Sequence, residues 1–460
     1  MPRPMRRRFM NWKLAIAGTL AGALFAAVMQ PAFAEDVVIK VWARADRSAP
    51  YRAANLVSAG DTLNKMLAAA NSDKRVKIEL NETNATGYDD DALDLLKAFA
   101  VDKGPDIFVL AHEWTGAIAE AGYALNLEDH ITKNPDLYGD VIPQLWQAVT
   151  YKGARYGVPL DTEVRMFFLN NDKLRKLGKT DKDIAALPGK VDAGEFTLYD
   201  LCDLAGQSVQ KGVTKYGILH RPNAGPDFQM LIEAFGVVPY DAPSGKLQAS
   251  KAAYKDFYTW VKYCVDKKAF SSTNTAMSWD AIEQASFGKE EALVFFHGVW
   301  RVTDQMKAFK LKGKDDYFRK MTWLNGPPGK KGGKPTNLSH PIAYAVSAKS
   351  KNKELAAYIV ALASQPLLTM RVGVSNHMPI TYGAQAMPEM VDKGWALVAA
   401  TPMLKYASFM PSHPKIGQYN SILYKGIQGV ETGRLTPQAA ADFVMEEFTN
   451  ELGKEVVIRP

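Results

Sequence analysis

Cysteine is almost absent from this chain, with two in 460 residues, Cys202 and Cys264. So few exclude a disulfide scaffold and a cysteine-rich zinc module. Histidine is also sparse: seven are scattered along the chain, with no HExxH and no pair four apart. No GxGxxG and no GxSxG occurs, which leaves a dinucleotide loop and a hydrolase nucleophile elbow without support. The stretch Gly326 to Pro335 has glycines and lysines, but lacks the GxxxxGK[ST] spacing and puts Pro335 where a metal-binding hydroxyl would stand. Beyond the N-terminus no segment approaches about 18 uninterrupted apolar residues. Internal repeats and low-complexity tracts are missing too.

The charge excess shrinks on inspection. The chain carries a formal +7, but its first 34 residues hold five basic and no acidic residues, so the remainder is only +2. Lysine and arginine form no long stripe, and Lys330-Lys331-Gly332-Gly333-Lys334 reads as a solvated loop. A nucleic-acid partner is therefore not expected, and nothing calls for a cofactor.

The N-terminus reads as an export signal. Arg3, Arg6, Arg7, Arg8 and Lys13 precede an apolar core at 14–29, and Ala32-Phe33-Ala34 fits cleavage after Ala34. Arg6-Arg7-Arg8-Phe9 loosely resembles a twin-arginine signal. The remaining ~426 residues exceed what one hydrophobic core usually supports, so two domains are expected. An oxidising compartment permits a Cys202–Cys264 bridge, but spacing alone does not decide between it and two buried thiols.

Strands and helices alternate from the start: strand at 37–43, helix at 51–71, strand at 75–81, helix at 89–99, strand at 107–110. That order predicts a mostly parallel sheet covered by helices. A hairpin is expected to turn at Lys152-Gly153. Helices at 198–211, 228–235 and 251–267 and strands at 216–219 and 292–296 suggest a second α/β unit. A strand at 341–347 and a helix at 352–364 follow, and the C-terminal third is mostly helical. In open α/β sheets ligands sit beyond strand ends. That singles out His112, Glu113 and Trp114 after one strand, Trp42 and Arg44 after another, and His220 and Arg221 after a third. Asp46 and Arg47 suit a local ion pair. Asp161 and Glu163 lie two apart and would share a face of a strand. A paired carboxylate could serve a glycosidase, or hydrogen-bond sugar hydroxyls without breaking any bond.

Several segments resemble the solute-binding proteins of ABC importers, in particular the maltose-binding-like extracellular family. Pro105-Asp106-Ile107 followed by Ala111-His112-Glu113 tracks the family segment without a gap, and the family's ligand-contacting acid falls on Glu113. Leu110 departs from the pattern, standing where some members carry a stacking tryptophan. The run 156–172 resembles the strand that crosses between lobes, with Glu163 as its sugar-contacting acid and Asp161 beside it. Phe296-His-Gly-Val-Trp-Arg is similar to the family's Gly-x-Trp turn and brings Trp300 and Arg301 to the cleft. Residues 342–356 resemble the return strand and the helix that follows it.

The resemblance implies a periplasmic binding protein fold of two α/β lobes closing by hinge motion. Lobe 1 is expected at 35–160 and 338–397, lobe 2 at 161–337 and 398–460. It implies a monomeric binding protein, not an enzyme, that captures a carbohydrate or polyol and delivers it to a membrane permease. The alternatives are an exported hydrolase using Asp161 and Glu163, and a binder of sugar acids or phosphorylated polyols. Arg44, Arg165, Arg221 and Arg301 are the feature favouring the last. His340 and His377 are weaker site candidates.

Overall fold

The computed structural model describes residues 35–45, 49–84, 88–241, 244–373 and 376–460. The export signal read in 1–34 and the Asp46–Arg47 pair lie outside the described residues.

Two sheets organise the chain. In the first, the strand order is Met378–Pro379, Val158–Thr162, Ile342–Val346, Ile107–Ala111, Glu35–Arg44 and Lys74–Thr83. The last three are mutually parallel, as the β–α–β alternation requires, while Ile342–Val346 enters antiparallel. Ile107–Ala111 is buried along its whole length, consistent with its unbroken apolar run. The second sheet has the order Met321–Leu324, Arg165–Asn170, Ala292–Gly298 and Tyr216–Leu219. Helices cover both, giving two α/β lobes of the periplasmic binding protein type.

Period-two alternation splits the second sheet between two cores. Phe167, Leu169, Ile218, Val294 and Phe296 face one, packing on the helices Lys251–Asp266 and Ile416–Glu431. Met166, Phe168, Leu219 and Phe295 face the other, where Leu145, Met378, Ile380, Leu397 and Leu404 cover them. The first lobe has its own core around Ile39, Leu56, Phe108, Leu160 and Tyr344.

Two short crossings join the sheets: past Leu160, in the first lobe's core, the chain enters the second sheet at Arg165, and past Leu338, packed in a core of the second sheet, it re-enters the first sheet at Ile342.

Local chemistry explains many element ends. Lys152 and Gly153 both take positive φ, 47° and 79°, which sets the hairpin between Thr150–Tyr151 and Ala154–Arg155. Thr197 and Asp200 form a capping box that starts the helix Leu198–Gln210. Cys202 in that helix and Cys264 in Lys251–Asp266 are joined by a disulfide, with Cα atoms 5.2 Å apart.

Candidate functional site

The two crossings run along one cleft of about 950 Å³ between the lobes. The first lobe contributes Arg44 at a strand end, Tyr88 to Asp90 at the start of the helix Tyr88–Ala100, and Glu113 in the turn His112–Trp114. The second contributes Arg165, Arg221, Asp227, Trp279, His297, Trp300 and Arg301. The crossings themselves supply Glu163 and His340, and His377 lines the cleft just before the edge strand Met378–Pro379 of the first sheet.

Of the residues singled out in the sequence, Arg44, Glu113, Glu163, Arg221, Trp300 and Arg301 meet in this cleft, as do His340 and His377. The other five sit elsewhere, each for a definable reason. Asp161 is buried behind the wall, where its carboxylate accepts from Tyr51 Oη at 2.6 Å and Arg52 Nε at 2.8 Å. Trp114 packs in the first core and donates from Nε1 to Asp89 Oδ1 at 2.9 Å. Trp42 packs against that core and reaches Asp91 Oδ1 at 3.4 Å. His112 is fully buried directly behind Glu113. His220 is also internal, bonded to Glu431 at 2.6 Å within the second lobe.

Charges in the cleft come in compensated sets. Arg165 bridges Glu163 at 2.9 Å and the Asp227 carboxylate, and Arg221 reaches Asp227 at 3.4 Å. Arg301 pairs with Glu283 at 2.5 Å and Asp304 at 2.9 Å. Glu113 accepts from His340 Nε2 at 3.0 Å. Burial works against ionisation of Asp227, but Arg221 and Arg165 outweigh it and lower its pKa. Burial also opposes ionisation of Glu113, yet His340 and His112 hold it down at about 2. For His340 the desolvation cost is overcome by Glu113, and its pKa rises. His297 is pulled down to about 3, chiefly by burial, and stays neutral.

Aromatic faces accompany the charges. Arg44 lies 4.3 Å over the Tyr88 ring, Arg165 5.5 Å over Trp300, and Arg221 5.9 Å over Trp279. Trp300 is nearly parallel to His377, with centroids 6.5 Å apart. Such an array suits a polyhydroxylated guest: carboxylates and guanidinium groups take hydroxyls, and ring faces cover C–H surface. Tyr88, Trp279, Asp227 and His297 escaped the sequence reading. Asp227, just after Gly225-Pro226 at a helix start, carried the only local signal among them.

Two lobes around one concave, aromatic and polar cleft define a ligand-binding protein. A family model for bacterial extracellular solute-binding proteins matches residues 65–399, and the chain belongs to that family. It is 34% identical over 83 residues to the maltotriose-binding protein of Pyrococcus abyssi, and 32% over 83 residues to the maltodextrin-binding protein MdxE of Bacillus subtilis. Each match spans 18% of this chain and 18% of the relative's length. Among solved structures, the sugar-binding protein MalE from Xanthomonas citri superposes with a TM-score of 0.70 at 16% identity, covering 91% of this chain and 98% of that one. An ABC substrate-binding protein from Listeria monocytogenes in complex with cycloalternan gives 0.64 at 18% identity, over 91% and 100%. At these identities the structural likeness establishes the shared fold.

Proposed function

We propose that this protein is the substrate-binding component of an ABC importer, capturing a carbohydrate by hinge closure and handing it intact to a membrane permease. The chain works as an exported monomer, its signal removed after Ala34, with lobes at 35–160 plus 338–397 and 161–337 plus 398–460. The observation that carries this reading is the convergence of Glu113, Glu163 and Trp300, from three distant segments, on one inter-lobe cleft. Glu163 sits on a crossing, so a ligand that bonds it and both walls favours the closed angle. The relatives named for maltotriose and maltodextrin support a sugar as guest.

Two features bear on the alternatives. Asp161 is consumed by its buried pairing with Arg52, so Asp161 and Glu163 do not form a carboxylate pair in the cleft. Arg165, Arg221 and Arg301 each have an acidic partner already, which favours a neutral polyhydroxylated guest over a sugar acid or phosphate.

Thermal-shift screening of neutral oligosaccharides, polyols, sugar acids and sugar phosphates tests the assignment. A bound guest at 100 times its Kd adds about 2.7 kcal/mol of stability. The expected result is a raised melting point with a neutral sugar that is afterwards recovered unchanged. Product released with turnover, or a shift only with anions, would reject it.

A further inference from the structure

The antiparallel pairing of Ile107–Ala111 with Ile342–Val346 matches Ile342 to Ala111. Continuing that register outward brings Glu113 opposite His340, and the backbone N–H of His112 still donates to the Pro341 carbonyl at 3.1 Å. Sheet pairing alone therefore gathers two imidazoles and a carboxylate at one strand end. His112 Nδ1 lies 3.4 Å from Glu113 Oε2, and His340 Nε2 lies 3.0 Å from Glu113 Oε1. One ligand atom from each of the three residues falls within 4.8 Å of the other two, and no other such group occurs among the described residues.

One buried oxygen in this group, Glu113 Oε2, lacks a hydrogen-bond partner. Leaving a carboxylate oxygen buried and unbonded is costly, and such groups usually have a partner. We propose that His112, Glu113 and His340 form a site for a divalent transition cation of the zinc class, set in the cleft wall with a coordination position open to the guest. Zinc bonds of about 2.0–2.1 Å put tetrahedral ligand atoms roughly 3.4 Å apart, so a single carboxylate oxygen of Glu113 and the two imidazole nitrogens need only draw in from the 4.8 Å they now span. Two nitrogens and one oxygen favour zinc, copper or nickel over calcium or magnesium. Glu113 and His340 face the cleft and His112 lies behind them, so the open position points at the bound ligand. A sugar hydroxyl or carboxylate, or water, would fill it.

Binding requires a lone pair on His112 Nδ1, and so a ring proton on Nε2. The competing arrangement keeps the proton on Nδ1, directed at the Pro341 carbonyl 3.1 Å away, and leaves Glu113 and His340 as a simple ion pair.

The test uses untagged full-length mature protein, stripped with EDTA and free of sugar. Titration with ZnCl2 should show one ion per chain, and cobalt(II) should give the intense visible absorption of a tetrahedral site. His340→Gln should weaken zinc at least tenfold and lose the cobalt spectrum, whereas His130→Gln, remote from the cleft, should keep both. The wild type taking up no stoichiometric zinc, or His340→Gln binding it equally well, overturns the proposal. The sugar screen is read separately, in EDTA, so failure here leaves the transport assignment standing and the reverse also holds.

Discussion

Asp161 and Glu163 stand two residues apart and have opposite fates. Spacing told that both belong to a strand edge, but not which would reach the cleft, because the backbone turns out of the strand Val158–Thr162 between them. Asp161 bonds the Arg52 Nε at 2.8 Å, and Arg52 is only 3% exposed. Removing one member of a buried ion pair leaves an uncompensated charge and costs about 3–5 kcal/mol. Asp161→Ala should therefore lower the chemical-denaturation midpoint severely, while Glu163→Gln should keep the fold and weaken the guest. A stable Asp161→Ala variant with lost ligand affinity would place that carboxylate in the cleft after all. Glu113 was legible because it follows a recognisable strand. Tyr88, Trp279 and His297 were not, since each becomes a cleft residue only when distant elements meet.

At the scale of elements, strong periodicity made most helices and the buried strands readable to within a residue or two. The helix expected at 51–71 spans Tyr51–Ala69, and the strand expected at 216–219 is Tyr216–Leu219. Short edge strands were not legible. Met321–Leu324 has four residues, too few to show a period, and exists because Arg165–Asn170 offers a free edge. Lys246–Ser250 and Val456–Arg459 pair from far apart in the sequence, which no local pattern encodes. The two cysteines were readable as helical but not as bonded, since only the packing of their helices sets the 5.2 Å Cα separation. With its ends 62 apart in sequence, the bridge restricts the unfolded chain by about 4 kcal/mol on loop-entropy grounds. The double variant Cys202→Ala with Cys264→Ala should lose stability of that order in calorimetry. Its sugar affinity should be unchanged, because both positions lie inside the second lobe, away from the cleft.

The whole molecule couples these parts through its crossings. Both carry a cleft residue at or beside the point where the chain leaves one sheet for the other: Glu163 and His340. A guest held by these residues touches the hinge itself, so its binding energy is spent partly on the angle between lobes. Trp300 then acts as the second lobe's platform, with Arg165 above it and His377 alongside. Closing brings that platform onto a guest already seated against Glu113 and Arg44. If so, truncating Trp300 should uncouple the two events. In small-angle scattering, saturating sugar should shrink the radius of gyration of the wild type. Trp300→Ala should bind roughly thirtyfold more weakly, a loss of about 2 kcal/mol expected for a central aromatic anchor. At sugar concentrations that saturate it, the variant should contract less. Equal contraction in both proteins would mean that closure is driven from the crossings alone, and that the indole contributes affinity without steering the motion.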